Sequence, residues 1–200
     1  MTRLSYESMR LIGPDTRDEN LDRLAGEQFD VLIVGGGISG AGCALDAASR
    51  GLRTALVERD DFASGTSSKS SKLVHGGLRY LAQYDFGLTW EAAHERDLLS
   101  RLAPNLVRPI RFLYPLFRRG RESRFAALGL SIYDLLSAVR GVPRHRHAKP
   151  PDIRRLAPPI DPSRVVAAYT YWDAATDDAR LVFELIRAAH SFGAVAANHC

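Results

Sequence analysis

Apolar positions change period twice within the first sixty residues. Phe29-Asp30-Val31-Leu32-Ile33-Val34 is a short β-branched run, the pattern of a strand buried on both faces of a parallel sheet. Gly35-Gly36-Gly37 stops it. Ile38, Ala41, Ala44, Leu45 and Ala48 then recur at helical spacing up to Arg50-Gly51, a basic last turn followed by a C-terminal glycine. Thr54-Ala55-Leu56-Val57 is a second buried strand, closed by Glu58. Strand, helix and strand in that order require a right-handed crossover between parallel strands, so the fold class is α/β.

Either side of this unit the pattern is looser. Residues 1–28 are polar, without period, and predict an N-terminal extension with one short helix near Arg17 to Leu24 and no chemistry. Residues 60–80, rich in Ser and Gly, predict loop, with room for a short helix between Ser68 and Tyr80. Gly87 to Leu102 predicts a helix whose apolar positions are Leu88, Ala92, Leu98, Leu99 and Leu102, ended by Pro104. Arg108 to Tyr114 reads as a strand limited by Pro115. Phe125–Val139 is helical in period, through Phe125, Leu128, Ile132, Leu135, Leu136 and Val139. Residues 140–164 hold six of the ten prolines and predict an irregular connection. Val165–Trp172 predicts a strand, Thr176-Asp177-Asp178 caps a helix through Leu181, Val182, Leu185, Ile186 and Ala189, and a last strand starts at Ala194.

Composition bounds the chemistry. With 200 residues, 46% of them hydrophobic and 25% charged, the chain can bury a core of one or two domains. Two cysteines, Cys43 and Cys200, exclude a disulfide scaffold and a cysteine-rich metal site. No run is apolar enough for a transmembrane helix and no secretory signal is visible, so the expected location is cytoplasmic, or peripheral on the inner face of the cytoplasmic membrane. The net charge of +4 comes from 24 Arg against Lys69, Lys72 and Lys149. That balance fits anionic small molecules or a membrane surface; without a basic run interleaved with aromatics, nucleic acid is not expected as a partner.

The chemical signal is Gly35-x-Gly37-x-x-Gly40 between a strand and a helix, with Glu58 ending the next strand. The first glycine allows the tight turn, the second admits a pyrophosphate to the backbone, and the third packs helix on strand. Glu58 is suited to ribose hydroxyls, and an acid there opposes the 2′-phosphate of NADP. NAD and FAD present the same adenosine diphosphate and stay undivided at this point. The following run, Ser64-Gly65-Thr66-Ser67-Ser68-Lys69-Ser70-Ser71-Lys72-Leu73-Val74-His75-Gly76-Gly77-Leu78-Arg79-Tyr80, gathers hydroxyls, amides and cations able to wrap a diphosphate and the polar edge of a flavin. A flexible serine linker is the plain alternative.

Val34 to Gly51, Thr66 to Tyr80, and Asp-Asp-Ala-Arg-Leu at 177–181 after Tyr-Trp-Asp closely resemble the aerobic, FAD-dependent glycerol-3-phosphate dehydrogenases. The resemblance runs from about Phe29 to the C-terminus, and Lys69 stands where the family commonly has a small residue. It implies a Rossmann-like FAD-binding domain of the glutathione-reductase/D-amino-acid-oxidase type with the start of a substrate domain. Residues 29–107 and 165–200 would form the FAD-binding domain, and 108–164 a region inserted on the substrate side or facing a membrane. Members of the family are more than twice as long, so the chain corresponds to the first third to half of that fold.

The same resemblance implies oxidation of sn-glycerol 3-phosphate to dihydroxyacetone phosphate, with electrons passed through FAD to membrane quinone. It assigns Gly35, Gly36, Gly37, Ile38, Ser39, Gly40, Glu58 and Arg59 to the ADP part of FAD. Thr66, Ser67, Ser71, Lys72 and Leu73 would line the diphosphate and ring. His75 would lie near the flavin as a base or as a hydrogen-bonding support, and Arg79 and Tyr80 would face the substrate. A homodimer is a further expected partnership. Another flavoprotein of the amino-acid or amine oxidase type, or a noncatalytic FAD-binding fragment, are the alternatives. His145 and His147 read as a solvated basic loop and Asp177-Asp178 as a helix cap, with no metal site. Arg118, Arg119, Arg121 and Arg124 beside the apolar 125–139 segment fit either a core helix with a charged flank or a monotopic membrane contact.

Overall fold

The computed structural model describes residues 12–136 and 144–200. They form two compact units, one of residues 12–72 with Asp177–Cys200, the other Leu73–Thr176.

The first unit is the predicted crossover extended by one strand. Strands β1 (Val31–Val34), β2 (Thr54–Val57) and β7 (Val195–Ala197) form a parallel sheet in the order β1-β2-β7. Helices α2 (Ile38–Ser49) and α7 (Asp178–Ser191) pack together over it, Ala41, Ala44 and Ala48 meeting Val182, Ile186 and Ala189 around Leu56 and Ala196. Small side chains on α2 let the two helices approach closely. β2 is buried along Thr54, Ala55 and Leu56, as its apolar run predicts, but β1 departs from expectation: Leu32 is 63% and Val34 81% exposed. The reason is that β1 pairs only with β2, and its Leu32/Val34 face carries no packed element among the described residues. The short helix expected near Arg17 is α1 (Pro14–Gly26), tied to the sheet by the buried Asn20 amide, which donates to Ala196 O at 3.0 Å. Residues 1–11 of the extension lie outside the described residues.

The second unit is an antiparallel sheet with helices. Strand β6 (Ala167–Ala175) lies between β3 (Leu73–Val74) and β4 (Arg108–Leu116), and β5 (Arg146–His147) pairs with it too. Contrary to the sequence reading, Pro115 does not limit β4, which runs through it. Among the described residues β4 pairs on one side only, and Pro109 and Pro115 share one phase of the pleat, so neither withholds a ladder donor from β6.

The helices here are α3 (Leu78–Leu81), α4 (Phe86–Leu102), α5 (Arg121–Leu136) and α6 (Pro150–Leu156). The expected end of α5 at Val139 lies outside the described residues. The buried face of α4 is Thr89, Ala93 and Arg96, whereas Leu88, Leu98 and Leu102 are exposed, so its apolar residues did not mark its core side. Nor is 140–164 wholly irregular: α6 starts on Pro150-Pro151, where missing N–H groups cost nothing, and the Asp152 carboxylate accepts from Lys149 N–H. Ile153 of that helix packs with Ala148 and Ala168.

Candidate functional site

In the first unit the glycine turn is seated by Gly35 N–H, which donates to Val57 O at 2.8 Å. α2 then starts with Gly37 as N-cap, no capping side chain and no acid in its first turn. The opening amides of a helix have no partner in a preceding turn, and the helix dipole adds positive potential there. Ile38 N–H donates to Ser67 Oγ at 2.9 Å, and both Ile38 and Ser39 are exposed. A Cβ on Gly40 would overlap the Gly35 carbonyl oxygen, so only glycine lets α2 start this close to the turn. Amide donors, a hydroxyl alongside and no acid in the first turn of the helix suit a diphosphate.

Glu58 sits beside this turn. Its carboxylate accepts from Asp60 N–H at 2.8 Å and from Gly36 N–H at 2.7 Å. These two bonds, Asp60 first, hold its carboxyl below the usual range. The group is therefore an anion at neutral pH, with one more acceptor site on each oxygen for a donor such as a ribose hydroxyl. Arg59 is exposed and paired with Asp60 at 2.9 Å.

The serine-rich run is folded rather than slack. Thr66–Ser68 forms a 3-10 turn with Ser67 half-buried, while Thr66 and Ser71 are exposed. Lys72, left-handed at φ 56°, directs Nζ to Asp178 Oδ1 at 2.8 Å, and Ser70 Oγ donates to Asp178 Oδ2 at 2.7 Å. The adjacent acids read as one cap divide the work: Asp177 caps α7 by accepting from Arg180 N–H, and Asp178 ties down residues 70–72. A helix needs only one capping carboxylate, which is the signal that the second had another partner.

Lys72, then Ser70, hold the Asp178 carboxyl well below the usual carboxylate range. A carboxylate so depressed contributes stability that is present above its unfolded value of about 4 and is lost as pH falls below it. Asp178→Asn is thus expected to flatten the acid side of the stability profile, read as thermal unfolding at steps from neutral to acid pH. Asp30, held at about 2 by Arg53, is untouched by that variant and keeps its own share of the acid loss. Parallel profiles for variant and wild type would show that the tether adds nothing.

In the second unit, the chain leaves β3 through His75-Gly76-Gly77 into α3. His75 and Arg79 are exposed, Leu73 and Tyr80 half-buried, and the rings of His75 and Tyr80 lie 5.8 Å apart. Beneath the turn lies a buried charge cluster that sequence reasoning missed. Asp173 Oδ1 accepts from Gly76 N–H at 2.9 Å and from Arg96 Nη1 at 3.0 Å, and Tyr133 Oη donates to Asp173 Oδ2 at 3.3 Å. Arg96 Nη1 also donates to Tyr133 Oη at 2.9 Å. Burial, reinforced by the Asp173 charge, pushes the Tyr133 phenol up, so it stays a protonated donor. Burial opposes the Arg96 charge, but Tyr133 and Asp173 outweigh it and its pKa is raised. A Cβ on Gly76 would overlap Arg96 Nη1 and Tyr133 Oη. Once the structure puts Arg96 one turn from Ala93 on the buried side of α4, its guanidinium demands an acid; the sequence pattern, with leucines on the other face, does not show that side.

His145 is not solvated as the sequence suggested, because α5 brings Asp134 Oδ2 to 2.7 Å from its Nδ1. His147 packs edge-on against Tyr169.

The family model for FAD-dependent oxidoreductases matches residues 30–200. The chain belongs to that family. FAD, not NAD, is therefore the cofactor, and the fold is the FAD-binding type that the resemblance implied. The chain is similar to the glycerol-3-phosphate dehydrogenase of Mycobacterium leprae, 48% identical over 92% of this chain and 32% of that protein. With the aerobic glycerol-3-phosphate dehydrogenase of Staphylococcus saprophyticus it shares 40% identity over 92% of its length and 33% of the relative's. The crystal structure of the Bacillus halodurans glycerol-3-phosphate dehydrogenase complexed with FAD superposes with a TM-score of 0.65 at 32% identity, covering 92% of this chain and 29% of that one. The chain thus spans about a third of the length of the curated relatives it matches.

Proposed function

We propose that the protein belongs to an FAD-dependent dehydrogenase that oxidises sn-glycerol 3-phosphate to dihydroxyacetone phosphate and delivers the electrons to membrane quinone. The observation that carries this reading is the 48% identity to the Mycobacterium leprae glycerol-3-phosphate dehydrogenase across 92% of the chain. In this reading the amides of Ser39 and Gly40 and the Ser67 hydroxyl, itself held by the Ile38 N–H, hold the diphosphate of FAD, and Glu58 accepts from the ribose. Leu73 and His75 lie by the ring. FAD, when bound, takes the hydride from C2 of the substrate. Lys72, whose ammonium is committed to Asp178, acts by shaping the loop that carries Ser67 and Ser71. Arg79 offers the substrate phosphate a two-pronged cation and Tyr80 a neutral donor, while His75 is the candidate acceptor of the C2 hydroxyl proton.

The test is anaerobic. Glycerol 3-phosphate added to the FAD-loaded protein is expected to bleach the visible flavin band while amino acids do not; bleaching by amino acids instead would move the protein to the amino-acid oxidases. Loss of a charged hydrogen-bond partner costs about 1.5–3 kcal/mol, so Arg79→Ala is expected to raise the KM for glycerol 3-phosphate roughly 10- to 100-fold. An unchanged KM would remove Arg79 from the phosphate site.

A peripheral membrane contact is part of the proposal. Among the described residues no helix is long and apolar enough to cross a membrane. Phe117, Phe125, Leu128 and Leu135 are nonetheless 53%, 57%, 56% and 80% exposed, next to exposed Arg118, Arg119 and Arg121. The side chain of Arg124 lies outside the described residues. Apolar residues flanked by arginines suit the head-group region of an anionic bilayer. A homodimer belongs to the same proposal.

A further inference from the structure

We infer that Asp173, braced by Arg96 and Tyr133, is a positioning group that clamps the His75–Tyr80 turn through the Gly76 amide and so fixes where His75, Arg79 and Tyr80 are presented. The inference rests on the flavoenzyme reading for the value of that turn, and on geometry for the clamp. Arg96 and Asp173 side chains are only 3% and 5% exposed, and Tyr133 is buried. A buried ion pair brings little net stability, because desolvation offsets the attraction, so its presence under a glycine turn asks for a positional account. The bonds supply one. One carboxylate oxygen takes the Gly76 N–H, the Ala174 N–H and the guanidinium, and the other takes the phenol. Three separate elements, α4, α5 and β6, therefore converge on one backbone amide of the turn.

The sequence around that amide is matched to the clamp. Gly76 admits no side chain because the Arg96 and Tyr133 polar atoms fill the space. Gly77, at φ 84°, reverses the chain so that α3 starts at once and carries Arg79 and Tyr80. The bond from the cluster to the turn is made to the Gly76 N–H, so it acts through the backbone. With the carboxylate anchored, the turn has one resting geometry; without it, the turn keeps its residues but loses its register to β6.

The test has two readings on FAD-loaded protein: hydrogen exchange at the Gly76 amide, and the visible circular dichroism that the protein induces in bound FAD. Asp173→Asn replaces a charged acceptor by a neutral one, and Gly76 exchange is expected to accelerate about tenfold or more. The dichroic band is expected to change with it. Unchanged exchange in folded Asp173→Asn overturns the clamp, and faster exchange with a wild-type band overturns the positioning role. Should Asp173→Asn not fold, Tyr133→Phe, which removes one hydroxyl, is judged by the same two readings with smaller changes in the same directions. If the wild-type protein fails to bind FAD, the proposed function falls, and exchange at Gly76 alone decides the clamp.

Discussion

Gly40→Ala is expected to abolish FAD binding and to destabilise the parallel-sheet unit by about 3–4 kcal/mol, at or above the upper end of overpacking costs. The added methyl would meet a backbone carbonyl, that of Gly35, and a carbonyl cannot rotate aside as the end of a side chain can. Relief requires α2 to slide away from the turn. That movement separates the helix amides from the place where a diphosphate is received, so stability and binding fail together. Gly42→Ala, two residues along the same helix where a Cβ meets nothing within 4 Å, is the control. It is expected to stabilise by about 0.5–1 kcal/mol, the ordinary gain of alanine over glycine in a helix. Urea unfolding with an FAD titration reads both. Tight FAD binding by Gly40→Ala would show that close packing at this turn is dispensable.

The second large effect is expected at Gly76→Ala. A methyl here meets Arg96 Nη1 and Tyr133 Oη, and neither can retreat: the guanidinium is held by Asp173 and Asp97, and the phenol is buried against the sheet. Something in the ion pair must part. Breaking a buried pair leaves an uncompensated charge and costs about 3–5 kcal/mol. Gly87→Ala, near the start of α4 with only an ordinary 3.8 Å contact to Asp85, is expected to change stability little. Equilibrium urea unfolding separates the two variants. A loss at Gly76→Ala below about 1 kcal/mol would mean that the cluster is loosely packed and yields to a methyl.

These two glycines also mark where the sequence was legible and where it was not. Gly40 announced itself because its reason is local: the partner is five residues back, and strand, turn and helix follow one another in the chain. The same holds for β2, α2 and the capping of α7. Gly76 hid its reason because Arg96, Tyr133 and Asp173 converge from distant segments, Arg96 and Asp173 being 77 residues apart, and no local period encodes that meeting. The α4 face was misread for a related cause. Leucines mark a core side only when the core is apolar, and here the inner side is Thr89, Ala93 and Arg96. Proline misled twice, at β4 and at α6. In both places the structure puts proline where a missing donor is harmless, at an open edge and in a first helical turn.

The open side of β1 matters at the bench. A strand edge unpaired among the described residues, with Leu32 and Val34 uncovered, is a template onto which a second chain can add, and mutual repulsion from a net charge of +4 is what opposes such encounters. Salt shortens the reach of that repulsion to about 8 Å at physiological strength. Colloidal stability of this chain therefore falls as ionic strength rises, and dilute, low-salt buffers are the conditions that keep it dispersed.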